Sequence, residues 1–160
     1  MSSALRPPHP RVRRTGHMLE SITLIDPTAF IMDIPSTTVP RVMATFEAIE
    51  LLEIIRRAHG PLVIHQSGGC CDGSQPMSFL KEEFRLGGQD VRVGTIDGTE
   101  YWMHGEQFAY WKHCQLTLDV VVGRGSSFSL EIPYGKRFII RSRIFTDAEL
   151  ERLEPVVQGG

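Results

Sequence analysis

The residues with the most chemical potential sit in one short stretch, Ser67-Gly68-Gly69-Cys70-Cys71-Asp72-Gly73-Ser74. Three glycines within it permit positive φ and close backbone approach, and no bulky side chain shields the two thiols. Successive amides in such a loop form a nest that favours a thiolate or a bound anion. His65 precedes the loop by two positions, at the end of the short apolar run Leu62–Gln66. Thiolate and imidazole together suit zinc, iron or copper. Adjacent cysteines strain to ligate a single ion, unlike the Cys-x2-Cys spacing of zinc sites. A metal site here therefore needs a donor from another segment. Three other readings remain open. They are a tight turn with one thiol buried and one exposed, a strained and readily reduced Cys70–Cys71 disulfide, and a nucleophilic thiol with a histidine base.

A second segment, Gln107-Phe108-Ala109-Tyr110-Trp111-Lys112-His113-Cys114, offers such a donor. Phe108 and Trp111 fall on one helical face and are expected to be core. His113 and Cys114 fall where that helix meets the next strand, a corner from which side chains commonly point into sites. The expected metal set is Cys70, Cys71, His65 and His113. Ser67, Gly68, Gly69, Asp72 and Cys114 are the expected binding residues around it. The plain alternative for His113 is a helix-terminal imidazole at the C-terminal dipole, and for Cys114 a buried thiol. His104 is a fallback imidazole. A symmetric dimer pooling Cys70 and Cys71 from two subunits would remove the need for histidine. The metal would be zinc or iron.

Other segments must position this loop. Thr45 has the chemistry of an N-cap, and Ala48, Leu51, Leu52, Ile55 and Ala58 then fall on one face of a helix that ends at Gly60-Pro61. Arg41–Ala44 reads as a short strand. Asp90–Ile96 and Thr99–Met103 flank Asp97-Gly98, the signature of a type I′ hairpin turn. Alternating apolar residues predict strands over 116–122, 128–132 and 138–144, each with one wet face. A short helix is expected over Glu106–Lys112, and Thr146-Asp147-Ala148-Glu149 spells a capping box. Arg137, Arg141 and Arg143 would share one basic, solvated strand face. The fold class is α+β: one main helix packed on a mostly antiparallel sheet or small β-sandwich.

The chain has 160 residues and a net charge of −2, too balanced to point to nucleic acid. No apolar run nears the ~18 residues of a membrane span. Charge is uneven: residues 1–17 carry Arg6, Arg11, Arg13 and Arg14 with no acid, leaving −6 for residues 18–160. With Pro7, Pro8 and Pro10 as helix breakers, residues 1–17 are expected to be a disordered basic tail. The proline-punctuated residues 18–40 would be an extended arm, and residues 41–155 a single globular domain. Three cysteines without an export signal read as reduced thiols of a cytoplasmic protein. There is no phosphate-binding loop, dinucleotide fingerprint or His-Glu-x-x-His motif.

Four strings carry a family resemblance: His59-Gly60-Pro61-Leu62, His65 through Ser74, Tyr110-Trp111-Lys112-His113, and Gly123-Arg124-Gly125 with Phe128-Ser129-Leu130-Glu131. Over about residues 41–150 the chain resembles an uncharacterised bacterial family whose members are often encoded beside aldehyde dehydrogenases. That resemblance implies an aldehyde dehydrogenase as partner and an accessory role, and it supplies no activity. The order of helix, strand and Gly69-Cys70 loop, with Ser127-Phe128 near the end, is also similar to the HesB-like A-type iron–sulfur carriers. This implies a HesB-like topology. Gly123-Arg124-Gly125-Ser126 stands where those carriers place paired cysteines, so two of their three cluster ligands are missing here.

Overall fold

A computed structural model describes residues 38–69, 75–125 and 128–160. The expected tail, all of the expected arm but residues 38–40, and Cys70, Cys71 and Asp72 lie outside the described residues.

Helix α1, Phe46–His59, forms where the periodicity places it. The Thr45 hydroxyl accepts from the Ala48 amide at 3.3 Å and itself donates to Asp119 Oδ1 at 3.0 Å. One side chain thus caps the helix and ties it to the sheet. At the other end Gly60 takes φ 102°, which a side chain would resist, and its N–H closes on the Arg56 carbonyl. Ala48, Leu51, Leu52 and Ile55 are buried. Fully burying each of the larger three contributes roughly 1.5–3 kcal/mol. Ala58, the last residue of the expected stripe, is exposed.

Among the described residues eight strands form two mixed sheets, so the α+β class holds. The first sheet runs β1 (Val42–Ala44), β6 (Cys114–Val122), β7 (Lys136–Ile144), with β1 parallel and β7 antiparallel to β6. The second runs β3 (Met77–Leu80), β2 (Leu62–Gln66), β5 (Thr99–His104), β4 (Asp90–Ile96), β8 (Val157–Gln158). Within it only β2 and β5 are parallel. The β4–β5 hairpin has the expected turn: Asp97 and Gly98 both take positive φ, 45° and 77°. Arg56 of α1 donates to the Asp97 carbonyl and carboxylate at 2.5 and 2.6 Å, so the helix also holds the turn. Helices α2 (Gly105–Trp111) and α3 (Asp147–Leu150) are short, and α3 carries the expected capping box.

One hydrophobic cluster joins the sheets through α1. It takes Val42, Leu116, Leu118 and Phe138 from the first sheet and Leu62, Ile64, Val93, Ile96, Tyr101 and Met103 from the second. The basic face expected from Arg137, Arg141 and Arg143 is modified by pairing: Arg141 donates to Asp119 at 2.5 Å and Arg143 to Glu149 at 2.7 Å.

The strand expected over 128–132 does not form. Its polarity is inverted: Phe128 is 81% exposed, while Ser129 and Glu131 are buried. Ser78 Oγ and Ser129 Oγ both donate to Glu131 Oε2, and the Ser78 N–H donates to Ser129 Oγ. One hydroxyl partner from β3 and one from the segment itself make burial of the carboxylate tolerable, which no alternation pattern anticipates. A 3-10 turn, Ile132–Tyr134, then leads into β7.

Candidate functional site

Residues paired across a sheet share a face, because side chains alternate along each strand. The registers His65↔Trp102, Arg92↔Trp102 and Asp90↔His104 therefore set His65, Trp102, His104, Arg92 and Asp90 on one face of the five-stranded sheet. It is the face opposite the main core. Phe84, from the segment after β3, stacks on Phe79 and lies against the His65 ring, with centroids 4.6 and 4.9 Å apart.

His65 Nε2 and Asp90 Oδ1 are 3.0 Å apart, with side-chain exposures of 13% and 9%. The other carboxylate oxygen of Asp90 accepts from the Gly87 N–H at 2.7 Å. Burial alone would raise the Asp90 carboxyl. The hydrogen bonds from His65 and Gly87, with the charges of His65 and His104, outweigh it and hold the carboxyl below its ordinary value. An ionised carboxylate can only accept, so His65 Nε2 carries the proton and donates. In the neutral ring the lone pair then lies on Nδ1. A carboxylate that fixes the tautomer and orientation of an imidazole prepares it as a metal ligand or a general base.

The loop starts at the next strand position but one. Gln66, last in β2, is buried and accepts from Tyr101 Oη at 2.6 Å. Burial pushes the Tyr101 hydroxyl well above its ordinary pKa, so it remains a donor. This bond pins the base of the loop, after which Ser67, Gly68 and Gly69 are exposed. His104 stands beside them. An ideal Cβ on Gly68 would lie 3.5 Å from His104 Nδ1. That nitrogen accepts from the Glu106 N–H at 3.4 Å, capping α2. Gly105 is required next to it, since a Cβ there would come within 2.7 Å of the Gln89 carbonyl oxygen. Where the chain leaves the loop, Ser78 of β3 is held by Glu131 and Ser129.

His65 thus stands at the root of the cysteine loop, as its sequence position implied. Cys114 opens β6 of the other sheet, and His113 directly precedes it. His113 is exposed, and its carbonyl accepts from the Phe145 N–H at 3.1 Å. Cys114 is half-buried and packs against the main core. Asp90, the partner of His65, was not anticipated: it lies 25 residues further on, and only the strand order β2-β5-β4 brings it near. Its one local cue is Gly87-Gly88, which allows the turn whose N–H it accepts. Among the described residues no group of three or more His, Cys, Asp or Glu side chains is arranged to hold a metal ion.

Over residues 51–144, more than half of the chain, the sequence matches the family described as Domain of unknown function (DUF779). No curated protein and no solved structure matches it.

Proposed function

This chain belongs to the DUF779 family of uncharacterised domains, and we propose that it is an accessory protein that handles a metal or sulfur species through its cysteine loop. The observation that carries the reading is the His65–Asp90 pair, two positions before Ser67. An imidazole with its proton committed to a buried carboxylate offers Nδ1 as a ready donor, and Cys70 and Cys71 follow within five and six residues. Thiolate and imidazole donors in that combination favour zinc or iron. Exposed Ser67–Gly69 leave the site open to a partner. The partner we propose is an aldehyde dehydrogenase, on the resemblance to a bacterial family encoded beside such enzymes, and the compartment is the cytoplasm, where thiols stay reduced. In a HesB-like arrangement this loop would hold the first cluster ligand. The test is elemental analysis of the full chain purified anaerobically, with Cys70→Ser, Cys71→Ser and His65→Ala variants. Bound zinc or iron that falls in all three supports the reading; metal undiminished in all three overturns it.

The same pair favours one other reading, a thiol-dependent enzyme with Cys70 or Cys71 as nucleophile and His65 as base. Nδ1 of an Asp-oriented imidazole is the atom that would take the thiol proton. Alkylation rate against pH separates the two: a metal-free chain whose thiol reacts well below pH 8, and loses that in His65→Ala, is the enzyme. Ordinary thiols without metal leave a ligand-free binding module.

A further inference from the structure

We infer that Asp97-Gly98 is a self-modification site, where the backbone can re-form through the Asp97 side chain, and that Arg56 holds this reaction off. The turn stands apart from the cysteine loop, at the opposite end of the β4–β5 hairpin from Asp90 and His104. The chain contains no asparagine and two Asp-Gly dipeptides, of which Asp97-Gly98 lies among the described residues. A glycine after an aspartate leaves its amide unshielded, because no side chain stands beside it. The Gly98 nitrogen can then attack Asp97 Cγ. An N–Cγ bond forms, the carboxyl hydroxyl leaves with the amide proton as water, and a five-membered imide results. Water re-adds at the former backbone carbonyl and breaks its bond to nitrogen. That carbonyl becomes a free carboxyl, and the chain continues through Cγ. One water leaves and one enters, so no co-reactant is needed, and the main chain lengthens by one carbon.

Two features open the turn to this reaction. Asp97 is 47% exposed at its side chain, so water reaches the carboxyl. Its φ of 45° is a conformation that a residue with a side chain keeps only where its surroundings enforce it. One feature opposes the reaction. The Arg56 guanidinium donates from Nη1 to the Asp97 carbonyl at 2.5 Å and from Nη2 to Oδ2 at 2.6 Å. It also lies over the glycine, since a Cβ on Gly98 would be 3.8 Å from Nη1. Cyclisation must swing Cγ onto the Gly98 nitrogen and rotate the peptide between them. One planar fork holds both the oxygen on Cγ and the oxygen of that peptide, so neither turns without breaking a bond. The last turn of α1 carries this fork, next to buried Ile55. Because the turn type sets hairpin register, an extra main-chain carbon would shift β4 against β5 and disturb the pairing of Asp90 with His104.

The experiment incubates the native full chain at mildly acidic pH and digests it with trypsin. Electron-transfer fragmentation then measures isoaspartate in the peptide spanning residues 93–112. Arg56→Gln removes the fork, Arg56→Lys keeps the charge without it, and Ile55→Val lowers stability without touching the turn. Arg56→Gln should isomerise about tenfold faster than the parent, the scale on which freeing a reacting group to reach its attack geometry acts. Arg56→Lys should fall between them, and Ile55→Val should stay close to the parent. In concentrated urea, where every chain loses the fork, all four should react at one rate. Equal native rates for the parent and Arg56→Gln overturn the role of Arg56. An equal rise in Ile55→Val does the same, because it traces the reaction to general unfolding. Absence of isoaspartate at Asp97 in urea overturns the site itself.

Discussion

At Asp90 two opposed effects meet, and their balance decides what His65 can do. Burial disfavours the carboxylate, but the His65 ring and the Gly87 N–H stabilise it, and the net shift is downward. Replacing Asp90 with Asn removes the charge and lets the amide donate or accept, so His65 no longer has a fixed tautomer. The expected outcome is a loss of roughly 10–100-fold in metal affinity, measured by competition with a chromophoric chelator. Unchanged affinity would mean that His65 is not a ligand. Thr99 presents the reverse case, a core-facing hydroxyl with no hydrogen-bond partner among the described residues. Thr99→Val should leave the thermal midpoint unchanged or raise it, since an apolar isostere removes an uncompensated polar atom. Glu149 supplies a pH signature. The bidentate Arg143 guanidinium, then the Thr146 N–H, hold its carboxyl down at about 2 from an ordinary 4.5. A depressed carboxyl stabilises the fold at pH values above 4.5, and that contribution fades as pH falls towards 2. Urea unfolding should therefore separate Glu149→Gln from the parent at pH 7, with the gap narrowing below pH 4.5 and closing only as pH falls through about 2. A gap that stays constant would show that Glu149 acts through packing alone.

Among the elements, the approach of β4 to β1 depends on a missing side chain. Gly94 lies where the β4–β5 register shifts, and a Cβ on it would stand 2.7 Å from Val42 Cγ1. Val42 is buried in β1 of the other sheet. Gly94→Ala should destabilise the fold by about 1–3 kcal/mol in chemical denaturation. Combined with Val42→Ala, the total should be smaller than the sum of the two single effects, because the truncation vacates the space the new methyl needs. Simple additivity would place the cost in backbone conformation instead. Elements governed by local rules were legible in the sequence. The Thr45 cap, the α1 stripe as far as Ile55, the Asp97-Gly98 turn and the Thr146 capping box all follow from residues within a few positions of one another. The 128–132 segment was not legible, because the Ser78 hydroxyl that makes Glu131 burial acceptable comes from a strand 53 residues away. β3 and the two-residue β8 escaped for a related reason: each is defined by the strand it pairs with more than by its own pattern.

At the scale of the molecule, the two sheets and α1 share one core, while the candidate site lies on the opposite face of the five-stranded sheet. That separation lets the site vary without unpacking the interior. The sequence located half of this site. His65 and the loop are consecutive in the chain, so spacing alone marks them. Asp90 and His104 join them only through the order β2-β5-β4, and strand order is not written in local periodicity. His113 was singled out by the helix-to-strand corner, which forms and leads into β6 of the other sheet. The central claim is that His65, oriented by Asp90, ligates a metal at the root of the cysteine loop. The most direct measurement is metal per folded chain, by elemental analysis of anaerobically purified parent and His65→Ala proteins with matched circular dichroism. Close to one zinc or iron per parent chain, or per pair of chains, falling at least tenfold in the variant, is the predicted result. Equal metal in the two proteins, or none in the parent, would contradict it.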